Sequence, residues 1–156
     1  MNTKHLFNNI IKTEQSLASL PLRLIAGIIF IAHGAQKLFA WFGGYGLDGT
    51  GQWMESIGLA PGYLMALLAG GAEFIGGLLL IIGFLTRPAS FVLAITMIVA
   101  IFSVHINNGL FMSNNGYEFG LTLMAATLAL LIQGGGKYSI DVGIFNARNV
   151  NKTIND

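Results

Sequence analysis

Long apolar runs separated by short polar segments dominate the chain. Four runs come near the ~20 residues that a helix needs to cross the hydrocarbon core of a membrane, and they cover approximately residues 21–41, 62–85, 88–106 and 117–133. Pro21, Pro61 and Pro88 all fall at the starts of these runs, where a missing backbone N–H costs least. The pattern predicts an all-α integral membrane protein, a bundle of four helices.

Composition also favours a location in lipid. Of the 156 residues, 54% are hydrophobic and 10% are charged, and a soluble domain of this size cannot bury so much apolar surface. The formal net charge of +1 creates no field that would attract nucleic acid. The chain has no cysteine, which excludes disulfide bonds, thiol redox relays and thiolate metal ligands. Any redox chemistry must therefore come from a bound cofactor or from a partner.

The basic residues predict how the bundle is oriented. With the N-terminus inside the cell, only Lys37 falls on the outer side, and the other basic residues fall on the cytoplasmic side: Lys4, Lys12, Arg23, Arg87, Lys137, Arg148 and Lys152. This asymmetry follows the positive-inside rule. Both the N- and the C-terminus are therefore expected in the cytoplasm.

The segments outside the runs suggest a simple division of the chain. Residues 1–19 are expected to form a cytoplasmic or interfacial arm, residues 20–142 the transmembrane domain and residues 143–156 a flexible cytoplasmic tail. The first run shows no small-residue cleavage pattern, so no removable signal peptide is expected. The segment GQWMESIGLAPG, before the second run, is typical of a short amphipathic helix that covers the outer mouth of the bundle.

Polar side chains occur at membrane depth in the first two runs. His33, Gln36 and Lys37 are spaced i, i+3 and i+4, so they share one helical face. At a rise of about 1.5 Å per residue, Glu73 in the second run lies within about one turn of the depth of His33. An ionised carboxylate there costs several kcal/mol unless it is paired. We therefore expect Glu73 to contact Lys37 or His33, or to stay protonated.

The other two runs add polar groups on the same side. His105 and Asn108 end the third run, and Tyr117 and Glu118 begin the fourth. All four helices would then contribute to one polar pocket in the outer half of the bundle. Apart from Arg23 at the boundary, the inner half offers no ionisable continuation, which argues against a proton wire or an ion pore through the membrane.

Each polar residue also has a purely structural interpretation. Lys37 can extend to the interface, His105 can sit at a helix end and Glu118 can favour a helix N-terminus. Glu73 can form a salt bridge that fixes how the first two helices pack.

Metal and haem sites are less favoured by the pattern. His33, Glu73, His105 and Glu118 lack the local Glu-x-x-His spacing of metal sites in helix bundles, and Lys37 would repel a cation. His33 and His105 differ too much in depth to bind one haem iron unless the helices tilt strongly. No metal ligand is therefore assigned, and the cofactor is left open, with a quinone as the candidate.

Several segments resemble one protein family. They are HGAQKLF, GQWMESIGLAPG, AEFIGGLLLIIGFLTRPAS, VHINNG, NNGYEFGLTLM and GGKYSID. Over approximately residues 22–141, the chain resembles the DoxX family of small four-helix proteins of the bacterial inner membrane. The resemblance implies a multi-pass inner-membrane protein with cytoplasmic termini and a link to quinone-dependent redox chemistry. Related DoxD-type proteins are named as small subunits of a thiosulfate:quinone oxidoreductase.

The resemblance also implies which residues form the polar signature. By position, it falls on His33, Gln36, Lys37, Glu73, His105, Asn108, Gly109, Tyr117 and Glu118, and on the cytoplasmic side on Arg87, Lys137, Tyr138 and Asp141. The absence of cysteine departs from relatives that handle thiols. No segment resembles a separate catalytic subunit, so the chain is expected to act with other subunits of a redox complex.

The resulting expectation is a membrane subunit of an oxidoreductase that binds a quinone or a similar amphiphile in the outer pocket. Glu73 and His33 would exchange protons with the head group, and Lys37 would keep Glu73 ionised or stabilise an oxyanion. The expected substrate-binding residues are Gln36, His105, Asn108, Tyr117 and Glu118.

The alternative is a non-catalytic scaffold, or a small-molecule-binding protein, whose polar cluster is structural. A transporter is less favoured, because no repeated halves are evident. Glycine-rich helix faces are also compatible with a homo-oligomer.

Overall fold

The part of the chain that the structure describes consists of helices joined by turns and loops, and it contains no strand. The computed structural model describes the backbone of residues 16–155 and the side chains of residues 16–147. Its α-helices are α1 (Ser19–Phe39), α2 (Gly46–Ser56), α3 (Gly62–Ile82), α4 (Thr86–Ala100), α5 (Glu118–Gln133) and α6 (Ile140–Asn155). The all-α class is confirmed. Most of the expected N-terminal arm, residues 1–15, lies outside the described residues.

The long apolar helices confirm a membrane bundle. Among the described helices, α1, α3 and the continuous segment Thr86–Asn108 are long and apolar enough to span a bilayer. The predicted fourth span is α5, which is apolar and has 16 residues, fewer than the ~20 of an untilted span.

The two ends of the bundle domain lie on the same side. The Ser19 hydroxyl at the start of α1 donates a hydrogen bond to the Gly135 carbonyl just after α5, at 2.9 Å. A chain that crosses a membrane an even number of times must have this arrangement. The assignment of this side to the cytoplasm stays a prediction from the basic residues.

Helices α1 and α3 pack at close range because small residues line their contact. A Cβ atom on Gly77 would lie 2.7 Å from the Gly27 carbonyl oxygen, and one on Gly34 would lie 2.5 Å from the Phe74 backbone nitrogen. Close backbone approach of this kind is how helices associate in lipid, where apolar burial supplies little drive. Beside this contact, the buried core joins α1, α3, α4 and α5 through Phe30, Leu80, Leu93, Met97, Leu123 and Leu130.

The segment predicted as a flexible tail is helical in the structure. Its helix, α6, begins at Ile140, directly after Ser139. The Ser139 hydroxyl accepts a hydrogen bond from the Val142 backbone N–H at 3.2 Å, which is the geometry of an N-cap. Asp141 in the first turn adds a favourable charge. The Asn-rich composition of the tail favoured a flexible segment, so the helix that begins after Ser139 was not predicted.

Candidate functional site

Lys37 and Glu73 form an ion pair inside the bundle. Lys37 Nζ donates a hydrogen bond to Glu73 Oε2 at 2.6 Å. Glu73 is 3% exposed, whereas the Lys37 side chain is 23% exposed. The expected contact between the two side chains is therefore present, and the charge of the carboxylate is compensated at its buried position.

The packing of α1 against α3 places the pair. Lys37 lies in the last turn of α1, and Glu73 lies at the middle of α3. A Cβ atom on Gly70 would lie 3.1 Å from the Lys37 Cβ atom, so the lysine stem rests directly against α3, one turn from Glu73. A larger residue at position 70 would push the two helices apart.

Lys37 and Glu73 both line a long groove between α3 and α4. The groove has a volume of about 1110 Å³, compared with the ~300–1,000 Å³ of typical small-molecule sites. Its outer end is lined by Gln36, Lys37, Tyr45, Thr50 and His105, and its inner end by Leu79, Leu85, Pro88 and Ala89. The groove is thus polar at the outer end and mostly apolar along the rest of its length.

Helix α2 forms part of the outer wall of this groove. Its residues Thr50, Trp53 and Met54 line the groove, and its side faces α3 so closely that a Cβ atom on Gly51 would lie 3.0 Å from the Tyr63 Cα atom. The Glu55 carboxylate accepts a hydrogen bond from the Gly62 N–H at 2.7 Å, which caps α3. The expected amphipathic helix is therefore present as α2, and it forms a wall of the groove at the end that is predicted to face outward.

His105 reaches the groove from a π-helical turn. The turn, Ile101–His105, follows α4 directly, and such turns often re-aim a side chain at a functional site. His105 Nδ1 lies 2.8 Å from the Asn115 carbonyl oxygen. Because a carbonyl only accepts hydrogen bonds, Nδ1 is the donor in this contact.

Two other candidate residues near the outer loop, Asn108 and Glu118, form hydrogen bonds with nearby backbone groups. Asn108 Nδ2 donates to the Val104 and Asn115 carbonyl oxygens at 3.2 Å each. Glu118 Oε1 accepts from the Met112 N–H at 2.6 Å. Asn108, Tyr117 and Glu118 do not belong to the described residues that line the groove. These contacts support the structural interpretation of Glu118, which ties the loop to the start of α5.

His33 lies apart from the groove. Its ring packs against Phe119 of α5 with 5.9 Å between the ring centres, and its backbone carbonyl oxygen lies 3.5 Å from Lys37 Nζ. His33 does not belong to the described groove lining. The long lysine stem extends to α3, whereas the short histidine remains on the α5 side. The polar residues expected in one pocket are thus divided between two places.

A second polar cluster lies at the inner end of the bundle and includes Arg23, which was predicted to lie at the boundary of the first span. Arg23 is 0% exposed, and its Nη2 donates to the Tyr138 carbonyl at 3.1 Å. Asp141, 1% exposed, accepts hydrogen bonds from the Leu85 and Thr86 N–H groups at 2.8 and 2.9 Å. The cluster ties the start of α6 to the α3–α4 turn. The segment GGKYSID, which carries part of the family resemblance, indicated this cluster in the sequence. The sequence did not indicate which distant residues the segment contacts.

Removing the Asp141 carboxylate is expected to destabilise the protein. Asp141→Ala leaves the buried Thr86 N–H and the partly buried Leu85 N–H without these acceptors, and hydrogen bonds to a charged group contribute about 1.5–3 kcal/mol each. We expect the free energy of unfolding to fall by about 3 kcal/mol, measured by chemical unfolding in mixed micelles. Asp48→Ala is the control, because Asp48 is exposed in the first turn of α2. Equal losses for the two variants would contradict the capping role.

Among the described residues, no group of three or more His, Asp or Glu side chains is placed to hold one metal ion. The carboxylates of Glu55, Glu118 and Asp141 instead accept backbone hydrogen bonds, and Glu73 accepts from Lys37. The site therefore offers hydrogen-bond donors and acceptors rather than a set of metal ligands.

Comparison with known proteins identifies the family. The DoxX family model matches residues 18–106. The chain is 35% identical to "Putative oxidoreductase CatD" of Bacillus subtilis over 85% of its own length and 90% of the relative. It is 35% identical to the inner membrane protein YqjF of Escherichia coli, with 83% and 94% covered, and 30% identical to the inner membrane protein YphA of the same species, with 90% and 99% covered. No solved structure matches significantly. The chain belongs to the DoxX family of membrane proteins.

Proposed function

We propose that the protein is a membrane subunit of a quinone-linked oxidoreductase of the bacterial inner membrane, and that Lys37 and Glu73 bind the quinone head group. The observation that carries this proposal is the ion pair between Lys37 and the buried Glu73, in the wall of a groove that is polar at its outer end and mostly apolar further inward. The family relatives supply the redox and inner-membrane context, since one is named "Putative oxidoreductase CatD" and two are named inner membrane proteins.

The chemistry of the groove suits a quinone. Reduction to the quinol adds two electrons, which a partner redox subunit would deliver, and two protons, which would come from the aqueous phase at the outer end. Lys37 would donate a hydrogen bond to the carbonyl oxygen on which negative charge develops. Glu73 would take up and release protons beside that oxygen.

His105 fits the second proton-transfer role better than His33. His105 lines the groove, and its Nδ1 lies against the Asn115 carbonyl oxygen, so that Nε2 would accept the proton. The His33 ring instead packs against Phe119. In this proposal, Gln36 contributes to the polar end, and Asn108, Tyr117 and Glu118 shape the loop around it.

The native tryptophans allow quinone binding to be measured. The chain has two tryptophans, Trp41 and Trp53, and Trp53 lines the groove. In a Trp41→Phe background reconstituted in lipid nanodiscs, a decyl-substituted benzoquinone should quench Trp53 fluorescence saturably. Glu73→Gln should raise the Kd at least about tenfold, equivalent to ~1.4 kcal/mol, while Asp48→Asn, at an exposed position of α2 outside the described groove lining, should not change it.

The scaffold alternative predicts a different result for the same variants. It is favoured by the position of the ion pair, which joins the closely packed helices α1 and α3. If the pair only fixes this packing, Glu73→Gln lowers the thermal stability but leaves quenching of the folded protein unchanged. That combination, or no saturable quenching in the parent protein, would reject the quinone site.

A further inference from the structure

The groove is longer than a quinone ring requires. Along α3, its lining extends from Met65 to Leu79, which corresponds to about 21 Å at a rise of ~1.5 Å per residue. Glu73 lies between these two positions, so the groove continues inward past the ion pair toward Leu85 and Pro88. A head group bound at the pair would leave this inner section unfilled.

The inner section is apolar and open on one side. Ile75 of α3 and Val92 of α4 line it, yet they are 58% and 45% exposed. In a membrane-spanning bundle, surface exposed at this depth faces hydrocarbon. Small residues form the floor, and a Cβ atom on Gly76 would lie 3.0 Å from Leu93, so the floor is closed by packing. The opening between α3 and α4 therefore leads sideways into the bilayer.

We propose that this inner section holds the hydrocarbon chain of the ligand, which enters from the bilayer through the opening between α3 and α4. This inference rests on the proposed function, because it places the head group at Lys37 and Glu73. The ligand is therefore a membrane-dissolved amphiphile with a long hydrocarbon chain. This hydrocarbon chain runs from the ion pair toward Leu79 and Leu85.

The hydrocarbon chain of the ligand contributes more to the orientation of the ligand than to its affinity. Lipid tails are as apolar as the groove, so moving a chain from the bilayer into the groove supplies little free energy. The polar contacts at Lys37 supply the affinity, and the chain must fit the groove for the head group to reach them. A side chain that fills the inner section should therefore exclude long-chain ligands and spare short ones.

Val92→Phe tests this directly. Val92 lines the groove nearer its inner end than Glu73 does, and its exposed side chain leaves room for a larger one without disturbing the core. Leu78→Phe is the control, because Leu78 is 43% exposed and does not belong to the described groove lining. Quenching of Trp53 is titrated with decyl- and methyl-substituted benzoquinones that share the same ring, with concentrations expressed per lipid.

The expected result is selective. Val92→Phe should raise the Kd of the decyl compound about tenfold or more and leave the Kd of the methyl compound unchanged, and Leu78→Phe should change neither. If Val92→Phe leaves the decyl compound unaffected, or weakens both compounds equally, the chain does not occupy this section and bulk lipid fills it instead; the head-group site then stands on its Glu73 dependence. If neither compound binds the parent protein, both the inference and the proposed function fail.

Discussion

Lys37→Met should destabilise the protein more than any other single change at the ion pair. It leaves the Glu73 carboxylate, which is 3% exposed, without its charged partner, and breaking a buried pair in this way costs about 3–5 kcal/mol. Because 23% of the Lys37 side chain is exposed, we expect the lower end, about 3 kcal/mol of unfolding free energy. Chemical unfolding in mixed micelles would measure it.

The reverse change should cost less. In Glu73→Gln, the unpaired lysine can extend toward the outer interface, so its charge need not remain buried. The double variant Lys37→Met/Glu73→Gln removes both charges and should recover stability relative to Lys37→Met alone. A double-mutant cycle over these variants measures the coupling. If the loss of stability in the double variant equals the sum of the losses in the two single variants, the two side chains are not energetically coupled.

Gly34→Ala should disrupt the packing of α1 against α3. The added Cβ atom would lie 2.5 Å from the Phe74 backbone nitrogen and 2.8 Å from the Gly70 carbonyl oxygen. Backbone atoms cannot move aside as a flexible side chain can, so the helices must separate. Overpacking typically costs about 1–3 kcal/mol, and we expect the upper end, because separation also lengthens the contact between Lys37 and Glu73. The fraction of folded protein after heating, followed by size-exclusion chromatography, would report it.

Gly71→Ala is the matched control for this substitution. Gly71 also lies in a membrane-spanning helix, but a Cβ atom there would have nothing within 4 Å. Alanine is favoured over glycine in a helix by up to about 1 kcal/mol, so this variant should be as stable as the parent or slightly more stable. Equal losses in the two variants would point to a general intolerance of these helices rather than to close packing of α1 on α3.

The helices and the need of Glu73 for a partner could be predicted from the sequence. The first follows from the length of the apolar runs, and the second follows from the free-energy cost of an unpaired carboxylate in hydrocarbon. The second apolar run, residues 62–85, corresponds to α3 (Gly62–Ile82), since apolar length and flanking glycine and proline determine where a span begins and ends. The cost of a lone carboxylate in hydrocarbon predicted that Glu73 would contact Lys37 or His33, or stay protonated, and the structure shows Lys37 as its partner. Few side chains at the depth of Glu73 could compensate the charge of its carboxylate.

The division of the polar residues could not be predicted in the same way. His33 and Lys37 share a helical face, but which neighbour each contacts depends on side-chain length and on the position of α5, where Phe119 meets the His33 ring. The buried state of Arg23 depends on Tyr138, 115 residues away. Periodicity within one helix carries no information on such distant contacts.

The position of the bound head group can be measured by photo-crosslinking. A long-chain azidoquinone would be activated by light in membranes that contain the protein, and the labelled residues would be located by mass spectrometry. We predict that the label falls on the outer groove, within the segments that carry Lys37, Trp53 and Glu73, and that Glu73→Gln abolishes it. Labelling confined to the α5 side around His33 and Phe119, or labelling that persists in Glu73→Gln, would contradict the assignment of the ion pair as the quinone site.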